Sequence, residues 1–183
     1  MANILIAVTG SIASYKTADL VSSLKKQGHD VTVIMTEAAR EFIQPLTLQV
    51  LSQNPVHLDV MKEPYPDQVN HIELGKRTDL FIVAPATANT IAKLAHGFAD
   101  NMVTSTALAL PIHIPKLLAP AMNTKMYDHP ATQANLKTLE TYGYQIISPK
   151  ESLLACGDHG KGALADLNTI LERIKETLNE QTL

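Results

Sequence analysis

The residues with the clearest chemical potential surround the one cysteine of the chain, Cys156. This cysteine lies in the string LACGDHGKG, residues 154–162, where three glycines flank a single thiol. A buried, inert cysteine needs no such setting, whereas a thiol on a flexible glycine-rich flap suits an acid, a nucleophile or a redox group. An ordinary surface loop is the alternative interpretation of these residues taken alone.

A second unusual string is PAMNTKM, residues 120–126, which directly follows a short apolar run. The amide of Asn123 can both donate to and accept from a carboxylate or another amide. Met122 and Met126 can pack against a ligand as flexible apolar walls. The string therefore indicates a ligand-binding loop, with a core-packing turn as the alternative.

Two further loops join a strand pattern to a helix pattern, GSIAS at residues 10–14 and TANT at residues 87–90. Hydroxyls and backbone amides at the start of a helix suit a phosphate or a polar ring edge. Neither loop has the GxGxxG or GxxxxGK[ST] spacing of dinucleotide and ATP sites. Helix capping explains each loop alone, but two such loops in one parallel sheet are what a mononucleotide such as FMN needs. Aliphatic side chains would enclose its ring, because only 4% of residues are aromatic and none is Trp.

The histidines give weaker signals. His71 lies in NHIEL, residues 70–74, and a single histidine of this kind is structural or exposed more often than it is catalytic. The remaining histidines have no HExxH or Cys/His spacing, so we expect no metal site. They are His29, His57, His96, His113, His129 and His159.

Short apolar runs alternate with amphipathic stretches along most of the chain. The runs predict strands at residues 3–9, 31–36, 79–84, 116–119 and 144–148, the last being the final strand. The amphipathic stretches predict helices at about residues 17–27, 37–51 with a break at Pro45, 87–96, 99–110, 132–142 and 166–180. Residues 52–70 contain several prolines without periodicity, and we expect a surface excursion there with a short strand near residues 55–60.

This alternation predicts an α/β protein with a three-layer, Rossmann-like or flavodoxin-like fold and a mostly parallel sheet. Ligands of such folds bind at the carboxyl ends of the strands, where the four loops above begin. A length of 183 residues with 45% hydrophobic residues predicts one domain, residues 1–183.

Charge and cysteine content narrow the class of function. The formal net charge of −3 provides no basic surface for nucleic acid or an anionic membrane. A lone cysteine forms no internal disulfide, the N-terminus has no leader pattern, and no apolar run approaches the roughly 20 residues of a membrane span. We therefore expect a cytoplasmic protein with neither nucleic acid nor membrane as a partner.

Five strings taken together carry a resemblance over nearly the whole chain. In order they are GSIASYK, NHIEL, PATANTIAKLAHGFADN, PAMNTKM and ACGDHGKG, and they resemble the motifs of the flavin-containing cysteine decarboxylases. The resemblance implies non-covalent FMN, oxidation of a substrate cysteine, loss of CO2 from the resulting thioaldehyde and re-reduction of the enethiol. Within the family it implies phosphopantothenoylcysteine as substrate and 4′-phosphopantetheine as product, in coenzyme A biosynthesis. It also implies a homo-oligomer, usually a trimer with shared active sites, and a separate synthetase, because no synthetase domain is fused.

The resemblance also implies roles for individual residues. His71 would be the active-site base or acid, Asn123 would hold the substrate carboxylate, and Cys156 would supply the proton of the final reduction. Met126 and Ala155 would line the substrate pocket, and Lys76 would meet the substrate phosphate, because relatives tend to carry an arginine near that point. The implied FMN contacts are Gly10, Ser11, Ile12, Thr36, Ala38, Thr87, Ala88, Asn89, Thr90 and Ala121.

Two departures from the family pattern bear on the flap. Tyr127 stands where many relatives have Trp, and Ala163-Leu164 follows Gly162 where relatives often show Arg-Met.

Three alternative functions remain open. A peptidyl-cysteine decarboxylase that releases the enethiol would not need Cys156 and its flap, and a prenyl-flavin synthase has no role for PAMNTKM. A flavin-binding regulatory subunit would need acidic tails or lost catalytic residues.

Overall fold

The computed structural model of the chain describes residues 1–63, 66–153, 157 and 159–180. A parallel sheet of six strands forms its centre, in the order β3-β2-β1-β4-β5-β6. The strands are β1 (Asn3–Val8), β2 (Asp30–Met35), β3 (Val56–His57), β4 (Leu80–Ala86), β5 (Lys116–Pro120) and β6 (Tyr144–Ile146).

Helices cover the sheet and connect its strands. They are α1 (Thr17–Lys26), α2 (Pro45–Ser52), α3 (Asn70–Arg77), α4 (Ala88–Ala95), α5 (Met102–Ala109), α6 (Thr124–Asp128), α7 (Pro130–Thr141) and α8 (Leu167–Glu180), with short 3₁₀ helices at Ile12–Lys16 and Glu37–Glu41. Two further strands, β7 (Lys150–Leu153) and β8 (His159–Ala163), pair antiparallel apart from the main sheet. The α/β class and the parallel sheet predicted from the sequence are confirmed.

The strand sequences explain why the sheet is buried on both faces. Successive side chains of a strand point to opposite faces, and β1 is apolar at both sets of positions. Ile4, Ile6 and Val8 pack in a core with α1, α2 and α8, whereas Leu5 and Ala7 pack in a second core with α4, α5 and α7. The result is the predicted three-layer arrangement of helices, sheet and helices.

Several element boundaries match the sequence prediction, and some do not. Pro45 begins α2 after a separate 3₁₀ turn, as its position in the 37–51 pattern predicted. The predicted helix 99–110 begins later, at Met102, because the Asn101 side chain accepts from the Val103 and Thr104 amides and caps the helix there. The expectation that residues 144–148 form the last strand was wrong, since β7 and β8 follow. Helices α3 and α6 were not predicted.

Among the residues that the structure describes, no helix combines the length and the apolar character needed to cross a bilayer.

Candidate functional site

The order of the sheet strands places a crevice between β1 and β4. The chain runs outward from β1 to β3, then returns to add β4, β5 and β6 on the other side of β1. In open α/β sheets the loops on either side of such a reversal diverge at the carboxyl ends of the strands and leave room for a ligand. The predicted loops at residues 10–14 and 87–90 begin at this point.

One buried hydroxyl holds these two loops together. Thr9 Oγ1 donates to the Pro85 carbonyl oxygen at 2.7 Å and accepts from the Thr87 backbone amide at 3.0 Å. Sequence reasoning did not single out Thr9, because a threonine at a strand end has no distinctive local pattern. Its two bonds fix the start of the second loop relative to the end of β1.

The first loop approaches the turn after β2 closely. A Cβ atom at Gly10 would lie 2.5 Å from the Cβ of Ala38, a contact that a larger residue could make only by moving the Ala38 turn. Ser11 caps the following 3₁₀ helix by accepting from the Ala13 amide at 3.2 Å, and Ser14 Oγ donates to the Thr9 carbonyl oxygen at 2.7 Å. Gly10 is therefore required for the packing of two loops that were both predicted to contact a cofactor.

The second loop begins α4 with an N-cap. Thr87 Oγ1 accepts from the Thr90 amide at 3.3 Å, and the two hydroxyl oxygens are 3.2 Å apart. The capping interpretation thus holds for the Thr87 side chain. It does not compete with ligand binding by the rest of the loop, because Ala88 and Asn89 line the adjoining cleft.

The cleft at this sheet edge, here called the cofactor cleft, has a volume of about 550 Å³, within the range of small-molecule sites. Every predicted FMN contact except Ile12 lines it, together with Met126. Thr36 Oγ1 is buried there and has no hydrogen-bond partner in the described part of the chain. A buried hydroxyl without a partner carries a free-energy cost that a polar ligand would relieve.

The cofactor cleft contains charged residues that sequence reasoning missed. Lys93 donates to Asp100, and this hydrogen bond is the main cause that lowers the pKa of the Asp100 carboxyl. Both residues line the cleft, as do Glu37, Asn101 and Met122. The string PATANTIAKLAHGFADN also contains Lys93, Asp100 and Asn101. The sequence therefore marked this segment as a motif, but the predicted FMN contacts in it stop at Thr90.

A second cleft of about 380 Å³ adjoins the first and shares Ser11, Ala121 and Met122 with it. It is here called the substrate cleft, and Ile12 and Asn123 line it. Asn123 Oδ1 accepts from the Lys125 amide at 2.8 Å, which starts helix α6. The PAMNTKM loop therefore lies between the two clefts, with Met126 facing the first and Asn123 facing the second.

Strand β8 packs directly on the PAMNTKM loop. The Met122 amide donates to the Gly162 carbonyl oxygen at 2.9 Å, and a Cβ at Gly162 would lie 2.3 Å from the Met122 carbonyl oxygen. A Cβ at Gly160 would lie 2.7 Å from Thr124 Oγ1. These two glycines of the flap thus permit close packing.

Leu153 pairs with His159, which brings the two flanks of the cysteine segment together. Cys156 and Ala155 themselves lie outside the described residues.

His71 and Lys76 lie elsewhere, on helix α3, and line neither of the two clefts. His71 Nδ1 is buried and has no hydrogen-bond partner within the described ranges. Lys76 Nζ donates to Glu73 Oε1 at 2.6 Å on the surface. A third cleft of about 600 Å³ shares Glu37, Asp100 and Asn101 with the cofactor cleft and extends to Asn70, the residue before His71.

A parallel α/β sheet with a ligand cleft at its strand-order reversal defines a Rossmann-like binding protein. The family model described as Flavoprotein matches residues 1–179, and the chain belongs to this family.

Comparisons with individual proteins agree with this assignment. The chain is 63% identical over 175 residues to a probable phosphopantothenoylcysteine decarboxylase of Streptococcus mutans, with 96% of this chain and 98% of that protein covered. It is 47% identical over 180 residues to the coenzyme A biosynthesis bifunctional protein CoaBC of Bacillus subtilis, with 98% of this chain but 44% of that protein covered. The chain therefore spans less than half of the bifunctional relative.

Two solved structures share the fold over nearly their whole length. One is a cysteine-to-serine mutant of PPC decarboxylase complexed with pantothenoylaminoethenethiol, with a TM-score of 0.89, 31% identity and coverage of 97% of this chain and 98% of that chain. The other is the FMN binding protein AtHal3, with a TM-score of 0.85, 31% identity and coverage of 98% and 97%.

Proposed function

We propose that this chain is an FMN-dependent phosphopantothenoylcysteine decarboxylase that forms 4′-phosphopantetheine in coenzyme A biosynthesis. The observation that carries the proposal is the contact between three predicted parts of the site. The cofactor cleft, the Asn123 loop and strand β8 of the cysteine flap meet at one sheet edge, with Met122 bonded to Gly162. The identity of 63% to a full-length relative named for this activity supports the same conclusion.

The residues of the cofactor cleft fit FMN. Thr36 Oγ1 is a buried polar atom that lacks a partner in the described chain, and Gly10, Ala38, Ala88 and Ala121 expose little side chain to a flat ring. We propose that FMN contacts these residues and Ser11, Ile12, Thr87, Asn89 and Thr90. Bound there, FMN would supply the two-electron oxidation and reduction that the reaction needs.

The chain's own groups would orient the substrate and move protons. Asn123 would hold the carboxylate that leaves as CO2, and Met126 and Ala155 would line the pocket around the substrate. His71 would act as the base or acid of the oxidation, for which an imidazole is suited near neutral pH. Cys156 would donate the proton that completes the reduction of the enethiol. The solved complex of a cysteine-to-serine mutant with an enethiol is consistent with a thiol role at that late step.

We propose that each active site is shared between subunits of a homo-oligomer, most simply a trimer. The support is that His71 and Lys76 line neither cleft of their own chain. A second copy that brings its α3 to the Asn123 loop would supply His71, and its Lys76 would meet the substrate phosphate if the ammonium leaves Glu73.

We further propose a single domain over residues 1–183, a cytoplasmic location and a separate synthetase as the source of substrate.

The mass of the product tests this proposal. Purified protein is expected to bind FMN and to convert phosphopantothenoylcysteine to 4′-phosphopantetheine with release of CO2. Cys156→Ser is expected to release the enethiol, which is lighter than 4′-phosphopantetheine by two hydrogen atoms. His159→Gln serves as a matched control, because it removes another titratable group from the same flap and should leave the saturated product.

Three outcomes would contradict parts of the proposal. Protein that cannot bind FMN would overturn it entirely. Wild-type protein that releases the enethiol would indicate the peptidyl-cysteine type of chemistry instead. Saturated product from Cys156→Ser, with the enethiol from His159→Gln, would move the proton-donor role from Cys156 to His159.

A further inference from the structure

Helix α3, which carries His71, begins without the usual cap from its own N-cap residue. Val69 at that position makes no side-chain cap bond. The carboxylate of Glu63 replaces it, since Glu63 Oε2 accepts from the Asn70 amide at 2.7 Å. A negative charge at this end also interacts favourably with the helix dipole. The first turn of α3 is thus tied to a residue seven positions earlier in the chain.

The side chain of Asn70 makes a second tie, to the edge of the main sheet. Asn70 is 8% exposed, and its Nδ2 lies 2.9 Å from His57 Nδ1. An amide nitrogen only donates, so His57 Nδ1 accepts and the His57 ring is neutral. Burial lowers the pKa of His57, which favours the same neutral form. His57 in turn belongs to β3 and pairs with Ile34 of β2.

The ring of His71 depends on this anchoring. Its Nδ1 is buried without a partner in the parts of the chain that are described, so no hydrogen bond at that atom orients the ring. The far end of the helix has its own support, because Thr78 Oγ1 donates to the Leu74 carbonyl oxygen at 2.7 Å. The position of His71 therefore follows that of the α3 backbone, which packs against α5 and whose first turn is tied through Asn70 to Glu63 and His57.

We infer that Asn70, anchored by His57 and Glu63, is a positioning residue that places the His71 imidazole for the oxidation of the substrate cysteine. This inference rests on the proposed function. Misplacing a catalytic group by about 1 Å costs about a hundredfold in rate, so a tie at the neighbouring residue has a measurable kinetic consequence.

Steady-state kinetics of the FMN-loaded protein with phosphopantothenoylcysteine test the inference. Asn70→Ala is expected to lower kcat about ten- to a hundredfold while KM and FMN affinity stay near their wild-type values. His57→Leu should do the same. His57→Gln, which keeps an oxygen acceptor for Asn70 Nδ2, should recover most of the lost kcat.

Asn54→Ala is the matched control. Asn54 also ties a loop to the sheet edge, with Nδ2 donating to Asp30 Oδ1 at 2.9 Å and to the Val31 carbonyl oxygen at 2.8 Å. This variant should lose stability without a comparable fall in kcat. Wild-type kcat in Asn70→Ala, or an equal fall in Asn54→Ala, would overturn the inference.

A second measurement separates this inference from the proposed function. If wild-type protein shows no decarboxylation, the proposed function fails, and the position of His71 is then followed by NMR of its imidazole nitrogens. Asn70→Ala should shift these signals, and Asn54→Ala should not. Unchanged His71 signals in Asn70→Ala would overturn the positioning role whatever reaction the protein catalyses.

Discussion

The cofactor cleft and helix α3 are positioned in different ways. The cleft is built by loops that each follow a buried parallel strand, so the sheet itself brings Gly10, Thr36 and Thr87 to one edge. Helix α3 follows a long excursion after β3 and is held at its start by side-chain bonds from Glu63 and His57. The first arrangement relies on strand pairing, whereas the second combines packing of α3 against α5 with a few polar contacts at the start of the helix.

Under the proposed function, this difference would separate FMN binding from catalysis. Strand pairing is extensive and buried, so single substitutions in the cleft should change ligand affinity without moving the sheet, except at Gly10, where any side chain would displace the Ala38 turn. The polar ties at α3 are few, and each contributes modestly to stability, but under the proposed function they would position the imidazole of His71. Binding of FMN and turnover of substrate should therefore respond to different substitutions.

The largest expected effect follows from removing the imidazole on α3. His71→Asn is expected to slow substrate oxidation by about two to four orders of magnitude, the usual contribution of general acid–base catalysis, while FMN affinity is unchanged. Stopped-flow absorbance of the flavin after mixing with phosphopantothenoylcysteine measures this step. Full turnover by the variant would remove His71 from the mechanism.

Mixing variants tests whether the two regions act from different subunits. His71→Asn and Asn123→Ala proteins, each inactive alone, should regain part of the activity when dissociated and reassembled together. Mixed oligomers then contain some sites with one intact copy of each residue. If the mixture stays as inactive as its components, His71 and Asn123 of one chain serve the same site, and the shared-site proposal fails.

A smaller effect is expected within the cofactor cleft. Thr36→Val removes the buried hydroxyl that lacks a partner, so it should weaken FMN binding about tenfold while the FMN-free chain becomes slightly more stable. Thr17→Val is the control, because Thr17 Oγ1 donates to the Ala84 carbonyl oxygen at 3.0 Å. It should lower stability and leave FMN affinity near wild type. Fluorescence titration with FMN that shows equal affinity for Thr36→Val and wild type would exclude a contact by Thr36.

The sequence predicted the strand-built region better than the region around α3. Buried runs such as β1 and β4 carry their own signal, and their boundaries differ from the prediction by two residues or fewer. The string NHIELGKR contains a glycine, which lowers helix propensity. The helix forms all the same, because α3 packs against α5, with Gly75 facing the Ala109 carbonyl oxygen at van der Waals distance. Such long-range contacts leave no local pattern.

Strand β8 was missed for a similar reason. Its sequence HGKGA has low strand propensity, and its conformation depends on pairing with β7 and on the contact between Gly162 and Met122. For the candidate site, the motif strings indicated which loops matter. They did not reveal Thr9, whose role is to join two loops, or the bond between Lys93 and Asp100 across seven positions.

The smallest expected effect is a pH dependence of stability that originates in two histidines, one of which, His57, contacts Asn70 at the start of α3. Burial lowers the pKa of His57 below its ordinary value of 6.5, and burial together with the N-terminal ammonium lowers the pKa of His29. The unfolded chain therefore binds protons more readily than the folded chain in this range, so the free energy of unfolding decreases as the pH falls below 6.5. Above that value both histidines are neutral in the folded and the unfolded chain, so they add no pH dependence to the free energy of unfolding.

Denaturant unfolding from about pH 7 to about pH 5 measures this slope, within the range where histidines titrate. His57→Gln keeps the acceptor for Asn70 but cannot be protonated, so its stability should fall less over the same range. His57 protonation would also turn Nδ1 into a donor facing the Asn70 amide, which breaks the tie that holds the first turn of α3. The kcat of wild type should therefore fall more steeply on acidification than that of His57→Gln, and parallel profiles would show that the His57–Asn70 bond has no part in placing His71.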